Sequence, residues 1–196
     1  MDTDAILNNV TRHIHLTSEE RDLFLSLLQE KKLRKGEHLL KAGEVYRYEN
    51  YILRGCMRTY YKARDRTEHV IYLAMEDYWS GDLYSFWSEK PALYYVEALE
   101  DTTLLRIEKG DFELLLERVP KFERFFRIML KNAVVAQQHR ILQNLSFTAE
   151  ERYLEFRERY PRLELRIPQK HIASFLGVTP EFLSALRRKL AKRLNS

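Results

Sequence analysis

The spacing of apolar positions changes character twice along these 196 residues. Near the start, Thr17-Ser18-Glu19-Glu20 has the form of a capping box, in which a hydroxyl and a carboxylate three residues on satisfy the free end of a helix. Leu23, Phe24, Leu27 and Leu28 follow at helical spacing, which predicts one short N-terminal helix up to about Lys31. From Leu33 to about Ile107 the texture turns to short β-branched and aromatic runs, YRYENYILRG, CMRTYYKAR and EHVIYLAM, punctuated by Gly36, Gly43, Gly55 and Gly81. With turn signals every 8 to 12 residues or so, this predicts a meander or roll of antiparallel strands, closed or sandwich-like rather than flanked by helices.

After Lys109-Gly110-Asp111 the helical period returns. FELLLERV predicts a short helix stopped before Pro120, and Lys121 to Leu145 can run as one long helix without Gly or Pro. Along it Phe122, Phe126, Leu130, Ala133, Gln137, Ile141 and Leu145 recur every three or four residues. Such a seam suits a core and a partner at once, and its polar member, Gln137, would fix the register of self-association. Asn144 to Phe147 is the expected hinge, and Thr148-Ala149-Glu150-Glu151 is a second capping box opening a helix that stops at Pro161. Arg162 to Ile167 alternates, which predicts a short strand.

The most specific spacing lies between Gln169 and Lys189. Ile172, Ala173 and Leu176 give one helix an inward stripe, with the small Ala173 where a second helix must come close. Gly177 supplies the sharp turn, Thr179 caps the second helix, and Pro180 occupies its first position, where a missing N–H costs nothing. Leu183, Leu186 and Leu190 fall on one side of that helix, and Glu181, Ser184, Ala185 and Arg188 on the other. Small residue, turn, cap and apolar stripe agree in register, the pattern of a helix-turn-helix that enters the DNA major groove.

Charge points the same way. The chain carries +4 overall, but residues 146–196 hold 11 Lys+Arg against 6 Asp+Glu, so the basic excess is C-terminal. Arg187, Arg188, Lys189, Lys192 and Arg193 crowd the end of the second helix, where they complement its dipole and can also meet phosphates. A hydrophobic share of 45% with 32% charged residues excludes a disordered chain. No apolar run reaches the roughly 18 residues of a membrane span, and the acidic start MDTDAILNN does not read as a signal peptide, so a cytoplasmic protein is expected, with no membrane partner. A single cysteine, Cys56, excludes intrachain disulfides and a four-cysteine cluster from one subunit, and is expected as a half-buried strand residue.

The order β roll, long helix, helix-turn-helix resembles the bacterial Crp/Fnr regulators over nearly the whole chain. The carriers are K-A-G-E at Lys41 to Glu44, Y-I-L-R-G at Tyr51 to Gly55, Gly81-Asp82, A-L-E-D at Ala98 to Asp101, and I-P-Q-K-H-I-A-S-F-L-G-V-T-P-E-F-L-S at Ile167 to Ser184. The resemblance implies an α+β chain in three parts. Residues 1–115 form a sensory cyclic-nucleotide-binding-like roll of double-stranded jelly-roll type, 116–145 a dimerisation helix, and 146–196 a winged-helix-like helix-turn-helix domain with a reduced wing. It further implies a homodimer on a two-fold symmetric site of double-stranded DNA, with a small-molecule effector and RNA polymerase as further partners.

Two departures refine this. Cyclic-nucleotide-binding members use a Gly-Glu pair for the ribose and an arginine about ten residues later for the cyclic phosphate. Here Asp82 follows Gly81, and Glu89 to Val96 contains Lys90 but no arginine, so cyclic AMP is not expected. Gly81, Asp82, Tyr94, Tyr95 and Gln137 are the effector-pocket candidates, and the surrounding rings, Trp79 and Tyr84 among them, either line a pocket or fill it. On the reading helix Ala185 stands where many members carry arginine, which leaves Glu181 as the base reader, accepting from cytosine. Ser184 and Ala185 are adaptable or apolar base contacts, while Gln169, Lys170, Thr179 and Arg188 suit phosphates.

Other chemistry is not expected. His13 and His15 lack the following ligand set of a metal-binding roll, nothing marks His38 or His69 as a haem ligand, and no N-terminal cysteines offer an iron–sulfur site. Glu76-Asp77 and Glu100-Asp101 read as solvated acids at strand ends, and no nucleophile, base and oxyanion set suggests an enzyme. The alternative from another class is a small-molecule sensor whose helix-turn-helix packs on a protein partner instead of DNA.

Overall fold

The computed structural model describes residues 2–194. Two helices, α1 (Asp4–Thr11) and α2 (Ser18–Ser26), precede the strands β1 (Gln29–Leu33), β2 (His38–Leu40), β3 (Tyr48–Arg54), β4 (Cys56–Lys62), β5 (Glu68–Met75) and β6 (Trp79–Ser80). A short α3 (Leu83–Ser88), β7 (Tyr95–Ala98) and β8 (Thr102–Glu108) complete the roll. Then come α4 (Lys109–Arg118), the long α5 (Lys121–Ser146), α6 (Ala149–Arg159), α7 (Leu163–Arg166), α8 (Gln169–Leu176) and α9 (Pro180–Leu194). The strands form two four-stranded antiparallel sheets, in the orders β1-β8-β3-β6 and β2-β7-β4-β5, the expected jelly-roll type.

Both capping boxes form: Thr17 accepts from Glu20 N, Thr148 from Glu151 N, and each glutamate answers the cap's own N–H. The first of these helices is shorter than the sequence suggests. It ends at Ser26, and Gln29–Leu33 leaves it to pair along β8, so backbone ladder bonds win over the apolar spacing of Leu27 and Leu28. α1 was not foreseen. Its Ile6 and Val10 bury one turn apart, and Asn9 and Arg12 bind Asp77 at 2.9 and 2.5 Å, so long-range partners hold a helix too short to be stable by itself.

The tightest turn of the roll joins β3 to β4 at Gly55, whose φ of +108° is closed to other residues. A Cβ there would lie 2.7 Å from Thr102 Cα, so the close approach of β8 also requires glycine.

One core fills the roll and the helices on its open side. Phe24, Phe112, Phe122 and Phe125 are fully buried there, with Phe112 and Phe126 edge to face at 4.6 Å. A second core is shared between modules. Cys56, Tyr60, Val70, Leu73 and Leu99 of the roll pack in one cluster with Tyr153, Phe156, Leu163, Ile172, Ala173, Leu176 and Leu183 of the C-terminal helices. Cys56 is therefore fully buried, not half-buried, and burial pushes its thiol up to about 12.

Arg162 to Ile167 is not a strand. Leu163 and Ile167, four apart, are buried in a helical turn while Leu165 between them is 88% exposed, so the alternation was coincidental with helical spacing. The expected hinge at Asn144 to Phe147 also narrows, because α5 continues through Ser146 and only Phe147 and Thr148 separate it from α6.

Candidate nucleic-acid interface

The helix-turn-helix forms at the expected positions. Ile172, Ala173 and Leu176 are buried, and Ala173, with no exposed surface, sits where a longer side chain would push the helices apart. Gly177 adopts φ +69°, its N–H donates to Ser174 O at 3.2 Å, and Val178 N reaches Ala173 O at 3.0 Å, ending α8 in a left-handed cap. Thr179 Oγ1 accepts from Phe182 N at 3.2 Å and opens α9. Leu183 and Leu186 turn inward.

The opposite face of α9 is free. Glu181, Ala185 and Arg188 are exposed, and so are Thr179, Pro180 and Lys170. Ser184 is half-buried and donates to Gln169 Oε1 at 3.2 Å, which locks the start of α8 over the middle of α9 and leaves the Gln169 amide N–H groups as donors. The basic run is partly neutralised: Lys189 and Arg193 bind Glu150 at 3.0 and 2.8 Å, and Arg187 lies 3.7 Å from Glu164. The hydrogen bond from Lys189 first, then the two positive charges and the Arg193 hydrogen bond, hold the Glu150 carboxyl below its usual range.

The face of α8 away from α9 docks on the roll through groups the sequence did not single out. Arg58 of β4, almost wholly buried, binds Glu97 through Nε at 2.8 Å and Glu68 through Nη1 at 2.6 Å. Its Nη1 also donates to His171 Nδ1 at 3.0 Å, which places the ring proton on Nε2. Burial first, and then the charges of Arg58 and Lys170, lower His171 to about 4, so the ring is neutral at pH 7. Ser174 Oγ donates to Glu68 O and accepts from Val70 N, at 2.8 and 3.0 Å. Arg140 of α5 crosses the junction, donating to Val70 O, Ile71 O and Phe175 O with its guanidinium 3.8 Å above the Phe175 ring.

The carboxylates at the strand ends are not simply solvated. Glu76 binds Arg166 through both oxygens at 2.7 and 2.8 Å and accepts from Gly55 N, and Glu100 pairs with the same arginine. Burial alone would raise Glu76, but the Arg166 and Gly55 hydrogen bonds outweigh it and hold the acid low. Asp77 gathers Asn9, Arg12 and Tyr51, and Asp101 accepts from Lys35 N. His38 is likewise no bare surface residue, since its Nε2 lies 3.0 Å from Tyr60 OH.

The effector-pocket candidates do not converge. At Gly81 an added Cβ would meet Tyr46 at 2.6 Å, so the Tyr46 ring, itself buried, already fills the space beside that glycine. Asp82 is spent as the cap of α3, accepting from Ser85 N at 3.1 Å, with its second oxygen buried and unpartnered. Tyr95 stacks on Tyr60 at 5.2 Å and Tyr94 stays half-buried on the same stretch of chain. Gln137, far along α5, lines a cleft of about 370 Å³ between α5, α6 and α8 together with Tyr72, Arg140 and Phe175. The Tyr46 ring thus occupies the space beside Gly81; Glu49 is buried too, which raises its carboxyl to about 8.

The structure is thus a β roll joined by one long helix to a helix-turn-helix. Residues 30–119 match the cyclic nucleotide-binding domain family. The chain is 25% identical to the fumarate and nitrate reduction regulatory protein of Vibrio cholerae, over 96% of this chain and 80% of that one. Among solved structures it is similar to the catabolite activator protein of Thermus thermophilus, with 23% identity, 91% of this chain and 85% of that one, and a TM-score of 0.55. It is also similar to a mutant of CooA from Carboxydothermus hydrogenoformans, with 18% identity, 98% and 85% coverage, and a TM-score of 0.71. The chain as a whole is thus similar to transcriptional regulators of the Crp/Fnr type.

Proposed function

We propose that this chain works as a homodimer that binds double-stranded DNA, with α9 in the major groove and the roll acting as the sensory module. The observation that carries the reading is the two-sidedness of α9: Leu183 and Leu186 are buried, while Glu181, Ala185 and Arg188 stand clear of every packed surface. Glu181 reads a base edge, Ser184 and Ala185 adapt to their neighbours, and Gln169, Lys170, Thr179 and Arg188 position phosphates, with Pro180 setting the start of the helix. Residues 1–115, 116–145 and 146–196 divide the work into sensing, pairing and reading.

The pairing surface is the outer side of α5. Val134, Ile141 and Leu145 are more than half exposed, Leu130 is 36% exposed, and all four fall within one stripe away from Arg140 and the docked helices. A second copy of α5 covers such a stripe, and Gln137 lies at its edge rather than in its centre. Pairing sets the two α9 helices about 34 Å apart, one turn of DNA, and RNA polymerase meets the bound dimer. The filled space beside Gly81 and the absence of an arginine from Glu89 to Val96 speak against cyclic AMP as the effector.

Phe182, half exposed on the first turn of α9, favours a second reading in which this face grips a protein. Salt separates the two. Binding to duplex must weaken steeply as salt rises, and Glu181→Ala is expected to relax selectivity at one base pair per half-site, worth about 1–3 kcal/mol, with nonspecific affinity unchanged. Selected-sequence binding compared between wild type and variant measures this. Identical sequence preferences would remove Glu181 from the reading surface.

A further inference from the structure

The hairpin between β4 and β5 carries cations that the reading by α8 and α9 leaves unused. Its tip runs Lys62-Ala63-Arg64-Asp65-Arg66-Thr67. Lys62, Arg64 and Arg66 are exposed, and among the described residues no acid forms an ion pair with any of them. Asp65, the acid within the tip, is turned back on the hairpin. It accepts from Thr67 N at 2.9 Å, and that hydrogen bond holds its carboxyl below the usual range.

The position of the tip follows from the register of β5 on α8. Arg58 joins Glu68 to His171, Ser174 spans Glu68 O and Val70 N, and Arg140 joins Val70 O to Phe175 O. Residue numbers climb together on both elements, so strand and helix run in the same sense. Residues before Glu68 therefore continue toward and past the N-terminal end of α8. A strand advances about 3.3 Å per residue against about 1.5 Å for a helix, so the tip overshoots Gln169 and Lys170. That end of α8 has unpaired N–H groups and the positive pole of the helix, and Gln169 fastens it to Ser184 on α9.

We propose that the β4–β5 hairpin tip is an additional contact to the DNA backbone, in which Lys62, Arg64 and Arg66 extend outward the phosphate track begun by Gln169 and Lys170. The inference rests on the DNA-binding reading above and assigns part of the sensory roll to the duplex. The partner follows from charge and continuity: three cations without acids, contiguous with a helix N-terminus already assigned to phosphates, match a row of phosphates. The contacts supply affinity and orientation and carry no base preference.

The test uses the full chain and a fluorescein-labelled mixed-sequence duplex of about 30 base pairs, which holds two half-sites with flanks. Anisotropy titrations between about 50 and 200 mM KCl give the slope of log Kobs against log[KCl], to which each phosphate contact adds about 0.9. Combined Lys62→Gln, Arg64→Gln and Arg66→Gln is expected to flatten the slope by about 2 to 3, and each single change by up to about 0.9. A control carrying Lys32→Gln, Arg34→Gln and Lys35→Gln removes the same charge from the chain around β1, in the sheet away from α8, and is expected to keep the wild-type slope. A tip variant with the wild-type slope, or a control that falls equally, overturns the proposal. A wild-type chain whose duplex binding ignores salt instead overturns the DNA reading itself, and this inference with it.

Discussion

At His171 an imidazole is pressed against a guanidinium, and both remain buried because the ring stays neutral. In the unfolded chain the ring titrates near 6.5, in the folded chain at about 4, so between these values the unfolded state binds the extra proton. The contribution is therefore complete above about pH 6.5 and is lost as the pH falls through about 4, at most about 3 kcal/mol in all. Urea midpoints should drop more for wild type than for His171→Gln between pH 7 and pH 4.5; parallel drops would mean that His171 takes up its proton without cost. The residue was present in the sequence motif but nothing there marked it. Its partner Arg58 lies 113 positions earlier, and only the packing of α8 on the roll brings them within hydrogen-bonding distance. By contrast Gly177, Thr179 and Ala173 were legible because turn, cap and close contact are local demands that particular side chains meet.

Among the elements, local signals were legible where period met a cap, as in α6 and α9, a turn glycine, as in α8, or a long run free of Gly and Pro, as in α5, and misleading where a distant partner decided. β1 displaced the end of the first expected helix because β8 offered it ladder bonds, and α7 took a helical turn because Leu163 and Ile167 had a core to enter. On α5 the sequence seam mixed two surfaces. Phe122 is buried and Phe126 half-buried against the roll, whereas Ile141 and Leu145 are open on the outer stripe. If that stripe is the pairing surface, Ile141→Glu should shift the mass measured by light scattering from twice 23.6 kDa to a single chain at micromolar concentration. The single chain should keep its fold, with an unchanged far-UV circular dichroism spectrum, since Ile141 is 55% exposed in the lone chain. A wild-type chain already of single mass would remove the dimer.

For the molecule as a whole, the roll and the C-terminal helices share one apolar core and two ion clusters, one around Arg58 and one around Arg166, and none of these is visible in linear order. Glu68, Glu76, Glu97 and Glu100 come from the roll, Arg166 and His171 from the C-terminal helices, and Arg140 ties both to α5. In the sequence Glu76 and Glu100 read as solvated acids at strand ends and the others carry no signal; their roles exist only once the modules are docked. Arg140→Ala removes three hydrogen bonds to main-chain carbonyls and leaves those oxygens to find water, so it is expected to loosen docking by about 2 kcal/mol while each module keeps its own fold.

The Cys56 sulfur lies in that joint core beneath the C-terminal helices, and the chain has no other thiol. Sealed there and held protonated, it is inert to iodoacetamide for as long as the modules stay together. Its alkylation thus becomes a built-in clock of detachment: the labelling rate at pH 8 reports how often the C-terminal helices swing off the roll, and should rise roughly tenfold or more in Arg140→Ala.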